Sequence, residues 1–230
     1  KNGTVSISAA SVHSETIFIN YEDYITPDRL SEFDTLQDKL TLLKSLPSKF
    51  NANELEVKQY ITTSADGTQV PYFLIHRKGM KTDQKTPTIL YGYGGFEISL
   101  KPSYSATIGK LWLERGGAYA VANIRGGGEF GPRWHKAALK TKRQRAFDDF
   151  IAVAENLIKR GVTSPKHLGI SGGSNGGLLV GAIFTQRPDL INAVVCRVPL
   201  LDMLRYTKLL AGASWAAEYG DPEDPEMRKA

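Results

Sequence analysis

Short runs of alternating hydrophobic and polar positions at residues 4–8, 16–21 and 29–33, each bounded by Ser, Asn, Asp or Pro, predict antiparallel strands joined by tight turns. The Leu-rich run 35–46 fits a strand or a short helix, and Pro47 ends it. Three or four such strands form one small sheet, which is marginal alone and needs neighbours. From Leu55 the pattern changes. Residues 55–63 and 69–76 flank Ala65-Asp66-Gly67, where Asp-Gly supplies the positive φ angles of a hairpin turn. Strands at 88–91 and 118–124 follow, then a helix over 146–160 with Phe147, Phe150, Ile151, Ala154, Leu157 and Ile158 on one face. Gly161 is its stop signal. A strand at 167–170, a helix at 175–186 closed before Pro188, and a strand at 191–198 complete the series. Alternation of this kind predicts an α/β domain over 55–230, a mainly parallel sheet with helices on both faces, preceded by a small all-β segment at 1–54.

Composition excludes several classes. With 41% hydrophobic and 23% charged residues in 230, the chain is neither disordered nor collagenous, and one cysteine, Cys196, rules out an internal disulfide framework. No apolar run reaches about 18 residues, and positions 1–15 lack a signal-peptide profile. A soluble, cytoplasmic protein with no membrane partner is expected; because the first residue is a lysine, a periplasmic or secreted location stays open. Net charge is +5, and the densest basic stretch, Lys136, Lys140, Lys142, Arg143 and Arg145, has only Trp134 at its edge. Without interleaved aromatics for stacking on bases, it reads as a solvated helix face, and no nucleic-acid partner is expected.

The chemistry is concentrated at Ser171-Gly172-Gly173-Ser174-Asn175-Gly176-Gly177, a G-x-S-x-G motif between a predicted strand and a predicted helix. Such a turn lifts a serine oxygen above the sheet, and glycines are required where side chains would strike the adjoining strand and helix. The helix N-terminus then faces the negative charge that develops on a tetrahedral intermediate, with the Asn175 N–H as one donor. The plain alternative is a glycine-rich turn with Ser171 and Ser174 as polar fillers. A second glycine pattern, Gly126, Gly128 and Gly131 after the strand at 118–124, imitates a dinucleotide fingerprint with Asp148 downstream. Pro132 directly after the last glycine, and Asp148 inside an amphipathic helix, argue for a shaped loop formed with Arg125 and Glu129 instead.

Four segments in order, Tyr91-Gly92-Tyr93-Gly94-Gly95-Phe96, Asn123-Ile124-Arg125-Gly126-Gly127-Gly128-Glu129, Gly172–Gly177 and Ser214-Trp215-Ala216-Ala217-Glu218-Tyr219-Gly220, resemble the prolyl oligopeptidase family of serine peptidases. The resemblance implies an α/β-hydrolase catalytic domain joined to a β-propeller, with residues 1–54 as the end of the propeller and the linker. It further implies Ser174 as nucleophile, the Asn175 N–H and the Tyr93 hydroxyl as oxyanion donors, and Trp215, Phe96 and Tyr219 as a pocket for proline, with short proline-containing peptides as substrates. A flat aromatic face suits a rigid pyrrolidine, and an uncharged pocket disfavours Lys or Arg. No metal or other cofactor is implied.

A serine nucleophile needs a base and a carboxylate that orients it, and on this fold both follow the serine along the chain. All four histidines, His13, His76, His135 and His167, precede Ser174. His167 begins the strand that leads into the turn, roughly 10–14 Å or more from the serine at about 3.3 Å per residue. Asp202, Asp221 and Asp224 follow the serine without a histidine to orient. The expectation is an incomplete peptidase chain whose remaining sheet strands, Asp and His lie beyond residue 230, with little or no activity alone and with an unpaired sheet edge at 191–198 that promotes self-association. Two other readings stay open: a non-catalytic binding module on a hydrolase scaffold, and a related peptidase or esterase without proline preference.

Overall fold

The computed structural model describes residues 2–229, organised as two compact units. One comprises the chain up to Lys58 with Ile75–Met80 and Lys101–Gly117; the other comprises Gln59–Leu74, Lys81–Leu100 and the chain from Ala118 onward.

In the first unit, β1 (Gly3–Ala10), β2 (Thr16–Asp23), β3 (Arg29–Asp34) and β4 (Lys39–Ser45) form an antiparallel sheet in sequential order. A four-stranded meander of this kind is the unit of a β-propeller blade. The Leu-rich run is therefore a strand. Its helical reading fails because Asp34 Oδ1 accepts from the N–H groups of Leu36 and Gln37 and Asp38 takes a φ of 49°, which folds residues 35–38 into a hairpin turn. This unit also contains α1 (Ala106–Ile108), capped by the Ser105 hydroxyl and continued by a wider helical turn over Gly109–Leu113. The pattern gave no helix there, since the segment is short and Gly109 interrupts its apolar spacing.

The second sheet has the strand order β10-β9-β7-β8-β6-β5, with β5 (Leu55–Thr63), β6 (Gln69–Arg77), β7 (Thr88–Tyr91), β8 (Ala118–Ala122), β9 (Leu168–Gly173) and β10 (Ala193–Arg197). Neighbours β7–β8, β7–β9 and β9–β10 are parallel, as the alternation predicts. The β5–β6 hairpin closes at Ser64, whose N–H donates to the Thr68 carbonyl at 2.8 Å. Helices α2 (Pro132–Lys136), α3 (Gln144–Lys159), α4 (Asn175–Gln186), α5 (Ala216–Tyr219) and α6 (Pro225–Lys229) complete the chain. This is the α/β-hydrolase architecture.

Helix α3 is amphipathic: Phe150, Val153, Ala154 and Leu157 are fully buried, at the i, i+3, i+4, i+7 spacing of one face. Burial of a side chain such as Phe150 is worth about 1.5–3 kcal/mol. The helix ends in a Schellman motif, with Val162 N–H on the Leu157 carbonyl, Gly161 N–H on the Ile158 carbonyl, and Gly161 at φ 74°. Helix α4 is buried on nearly every side. Phe150 and Leu179 both press on Gly92, just beyond β7, so α3 and α4 together fix where the loop after β7 begins. Among the described residues no helix is long and apolar enough to cross a membrane.

Candidate active site

Ser174 lies between β9 and α4 at φ 57°, ψ −118°, a conformation that costs a non-glycine residue roughly 1–3 kcal/mol. It is held by its N–H on the Arg197 carbonyl at 3.0 Å and by its carbonyl, which accepts from Gly177 and Leu178. The close approaches around it explain the glycines: a Cβ at Gly172 would lie 2.1 Å from the Gly176 carbonyl oxygen, and one at Gly176 would lie 2.7 Å from that of Gly92. Gly173 meets nothing closer than 3.7 Å, so its place in the motif is not steric. The serine side chain is exposed at the start of α4, where the first N–H groups have no helical partner and the positive end of the helix dipole lies.

The Asn175 side chain, almost fully buried, joins three segments. Its Nδ2 donates to the Tyr93 carbonyl at 2.5 Å and its Oδ1 accepts from the Tyr219 hydroxyl at 2.7 Å. Tyr93 in turn brings its hydroxyl to the Ser174 hydroxyl. Burial raises the Tyr93 pKa above its ordinary value, more than the Ser174 contact lowers it, so the phenol keeps its proton. Phe96 stands edge-on to Tyr219 at 5.7 Å between ring centroids, and Tyr206 does the same from another side at 5.6 Å. Ser174, Asn175, Tyr93, Phe96 and Tyr219 are thus brought together. Trp215 is half-buried at the N-cap of α5, and it is Tyr206, rather than Trp215, that packs on the Tyr219 ring. Tyr219 and Arg143 also line a cavity of about 220 Å³ with Phe147, Leu178, Met203 and Tyr206, a space that Ser174 and Trp215 do not line.

A carboxylate, a guanidinium and an imidazole complete the site. Glu218, 4% exposed, accepts from the Phe96 N–H at 2.9 Å and from Arg143 Nη2 at 2.6 Å on Oε1, and pairs with His135 Nε2 at 2.7 Å on Oε2. Burial pushes its pKa up, but the His135, Phe96 and Arg143 contacts outweigh it, and the carboxyl lies below its ordinary value. Arg143 also donates to the Gly94 carbonyl at 2.7 Å and lies over the Tyr219 ring at 5.1 Å. Arg143 is therefore no part of a solvated face. The 3₁₀ turn Lys140–Lys142 redirects the chain, so that Arg143 turns inward while Lys140, Lys142 and Arg145 remain exposed.

The glycine loop after β8 is indeed a shaped loop. Arg125, 3% exposed, donates through N, Nε and Nη2 to Asp149 and through both terminal nitrogens to Asp66. Glu129 accepts from Leu100 N–H and Asn123 Nδ2. Pro132 does not obstruct a helix here: it opens α2, with Gly131 as N-cap, a position where a missing N–H costs nothing. Three of the histidines are engaged elsewhere than at Ser174, His135 with Glu218, His76 Nδ1 with the Arg77 carbonyl, and His167 Nδ1 with Ser164 Oγ.

Comparison with known proteins agrees with this geometry. An uncharacterized peptidase of Sinorhizobium fredii is 56% identical over 98% of this chain and 31% of its own length. A prolyl endopeptidase of Elizabethkingia miricola is 45% identical over 97% of this chain and 32% of its own length. The structure of a post-proline cleaving enzyme from Rickettsia typhi superimposes with a TM-score of 0.90 at 46% identity, covering 99% of this chain and 33% of that one. The chain spans about a third of the length of these relatives. Residues 102–230 match the model of the prolyl oligopeptidase family, and with a strained serine at the head of a helix and closely approached glycines at 172 and 176, the chain belongs to that family.

Proposed function

We propose that this chain carries the nucleophile, oxyanion donors and proline pocket of a serine peptidase that cleaves short peptides after proline. The observation that carries the reading is the exposed Ser174 hydroxyl, on its strained turn at the head of α4, facing the Tyr93 hydroxyl. Ser174 Oγ attacks the carbonyl carbon as its proton passes to a base, and the oxyanion is met by the Asn175 N–H and the Tyr93 O–H. Collapse expels the amine, which takes up that proton, and leaves an acyl-serine for water to hydrolyse. Phe96, Tyr219 and Trp215 receive the proline ring. The buried carboxylate beside them, Glu218, is already neutralised by Arg143, which supports an uncharged residue over Lys or Arg in the pocket.

Because His76, His135 and His167 have other partners and all four histidines precede Ser174, the reading assigns the base and its orienting acid to sequence beyond residue 230. The 230-residue chain is expected to turn over a proline-containing chromogenic peptide at a small fraction of the rate of a full-length relative, and comparable rates would refute that assignment. A panel carrying Pro, Ala, Lys or Arg before the scissile bond tests specificity in the relative and in a chimera bearing these 230 residues; a preference for Lys or Arg by the chimera would overturn the proline reading.

The same reading divides the chain into a propeller-and-linker segment at 1–54 and a hydrolase segment at 55–230, and places the protein in the cytoplasm, in keeping with the free Cys196. Strand β10 is last in its sheet, with Val195 53% exposed, and we infer that it pairs with a second copy of the chain. Light scattering at rising concentration is expected to show dimers or larger species; a monodisperse monomer at the highest concentration would overturn this.

A further inference from the structure

Phe96 and Glu97 are consecutive non-glycine residues in the left-handed region, at φ 55° and 56°, directly after Gly94 at φ 66° and Gly95. A chain does not adopt such a run unless its surroundings impose it. Local hydrogen bonds supply part of the constraint, Glu97 N–H to the Gly126 carbonyl at 3.2 Å and Ile98 N–H to the Gly95 carbonyl at 3.1 Å. The Phe96 N–H itself donates to the Glu218 carboxylate at 2.9 Å, a charge-assisted contact on the left-handed residue. Glu218 is the residue before Tyr219 on α5, so a single carboxylate ties the turn that presents Phe96 to the helix that presents Tyr219. Its other donors anchor the same parts: Arg143 reaches Gly94 on the turn and the face of Tyr219, and His135 reaches back from α2.

We propose that Glu218 is the positioning residue that assembles the aromatic pocket, holding the left-handed Phe96–Glu97 turn against the Tyr219 helix through its ionised carboxylate. It touches neither Ser174 nor a peptide in the pocket; it acts through Phe96. This rests on the assignment of Phe96 and Tyr219 to the substrate pocket, and it makes the pocket's shape depend on a charge cluster that no proline contacts.

Two readouts separate this proposal from the pocket assignment. The first is amide hydrogen exchange in the 230-residue chain: Glu218→Ala is expected to speed exchange at Phe96 by about tenfold or more while the amides of α3 keep their protection. The second is the affinity of the chain for an N-blocked, uncharged peptide ending in proline, expected to weaken about tenfold in Glu218→Ala. Glu218→Gln guards against misfolding: its amide oxygen still accepts from Phe96 while the charge pairing is lost, so smaller shifts of the same sign are expected in both readouts. Unchanged Phe96 exchange in both variants would overturn the proposal. If the unaltered chain does not bind the peptide, the pocket assignment is what fails, and the exchange result still decides the role of Glu218.

Discussion

Arg125→Ala is expected to destabilise the chain by about 3–5 kcal/mol, the scale for removing one partner of a buried ion pair. Asp149 has no exposed side-chain surface, and its carboxylate is met by three Arg125 nitrogens, at 3.0 Å from the backbone, 2.9 Å from Nε and 2.6 Å from Nη2. Truncation removes two of those donors and leaves a buried negative charge with one backbone N–H. Asp66 suffers less: it is 41% exposed, so water takes over much of what the guanidinium supplied. Its hydrogen bonds to Arg125 hold its pKa well below 3.8, so its share of stability is present above that value and fades as the pH falls further. Urea unfolding at neutral pH checks the main effect. A double variant, Arg125→Met with Asp149→Leu, is expected to lose markedly less than the two single changes added together, because no charge is then stranded. Additive losses would show that the pair is not the source of the effect.

The second large effect is expected at Tyr93. If its hydroxyl is an oxyanion donor, Tyr93→Phe lowers kcat for a proline-containing peptide by about 10²–10³ and leaves KM nearly unchanged, since the contact strengthens only as charge develops. The change keeps the ring, and the Tyr93 backbone carbonyl still accepts from Asn175. The measurement belongs in the chimera that supplies a base. A rise in KM with unchanged kcat would instead make Tyr93 a ground-state contact.

The strands and the Ser174 turn were legible because their signals are local. Asp-Gly between two alternating runs marks the β5–β6 hairpin, and glycines on both sides of one serine report a crowded backbone. The charged part of the site was not legible in the same way. Arg143 sits in a basic stretch, and nothing in its spacing tells that a 3₁₀ turn carries it inward. Glu218 lies between two residues assigned to the pocket, and the available clue was a lone acid in an otherwise small and aromatic segment, Ser214–Gly220. Its partners lie 83, 75 and 122 positions away, separations that no periodicity records. Pro132 shows the converse error: proline opposes a helix interior, yet at the first position it begins one.

The amide of Asn175 bears on how such a site can be altered. One face of it holds the Tyr93 segment and the other holds the Tyr219 hydroxyl, so the ring proposed to shape the pocket and the loop that carries the Tyr93 phenol share one bridging side chain. Replacing Tyr219 to admit a larger or charged side chain frees Asn175 Oδ1 in a buried position and loosens the neighbour of Tyr93. Under the proposed function, selectivity and turnover are then coupled traits, and a search for new specificity would advance by changing Phe96 or Trp215 before touching that ring.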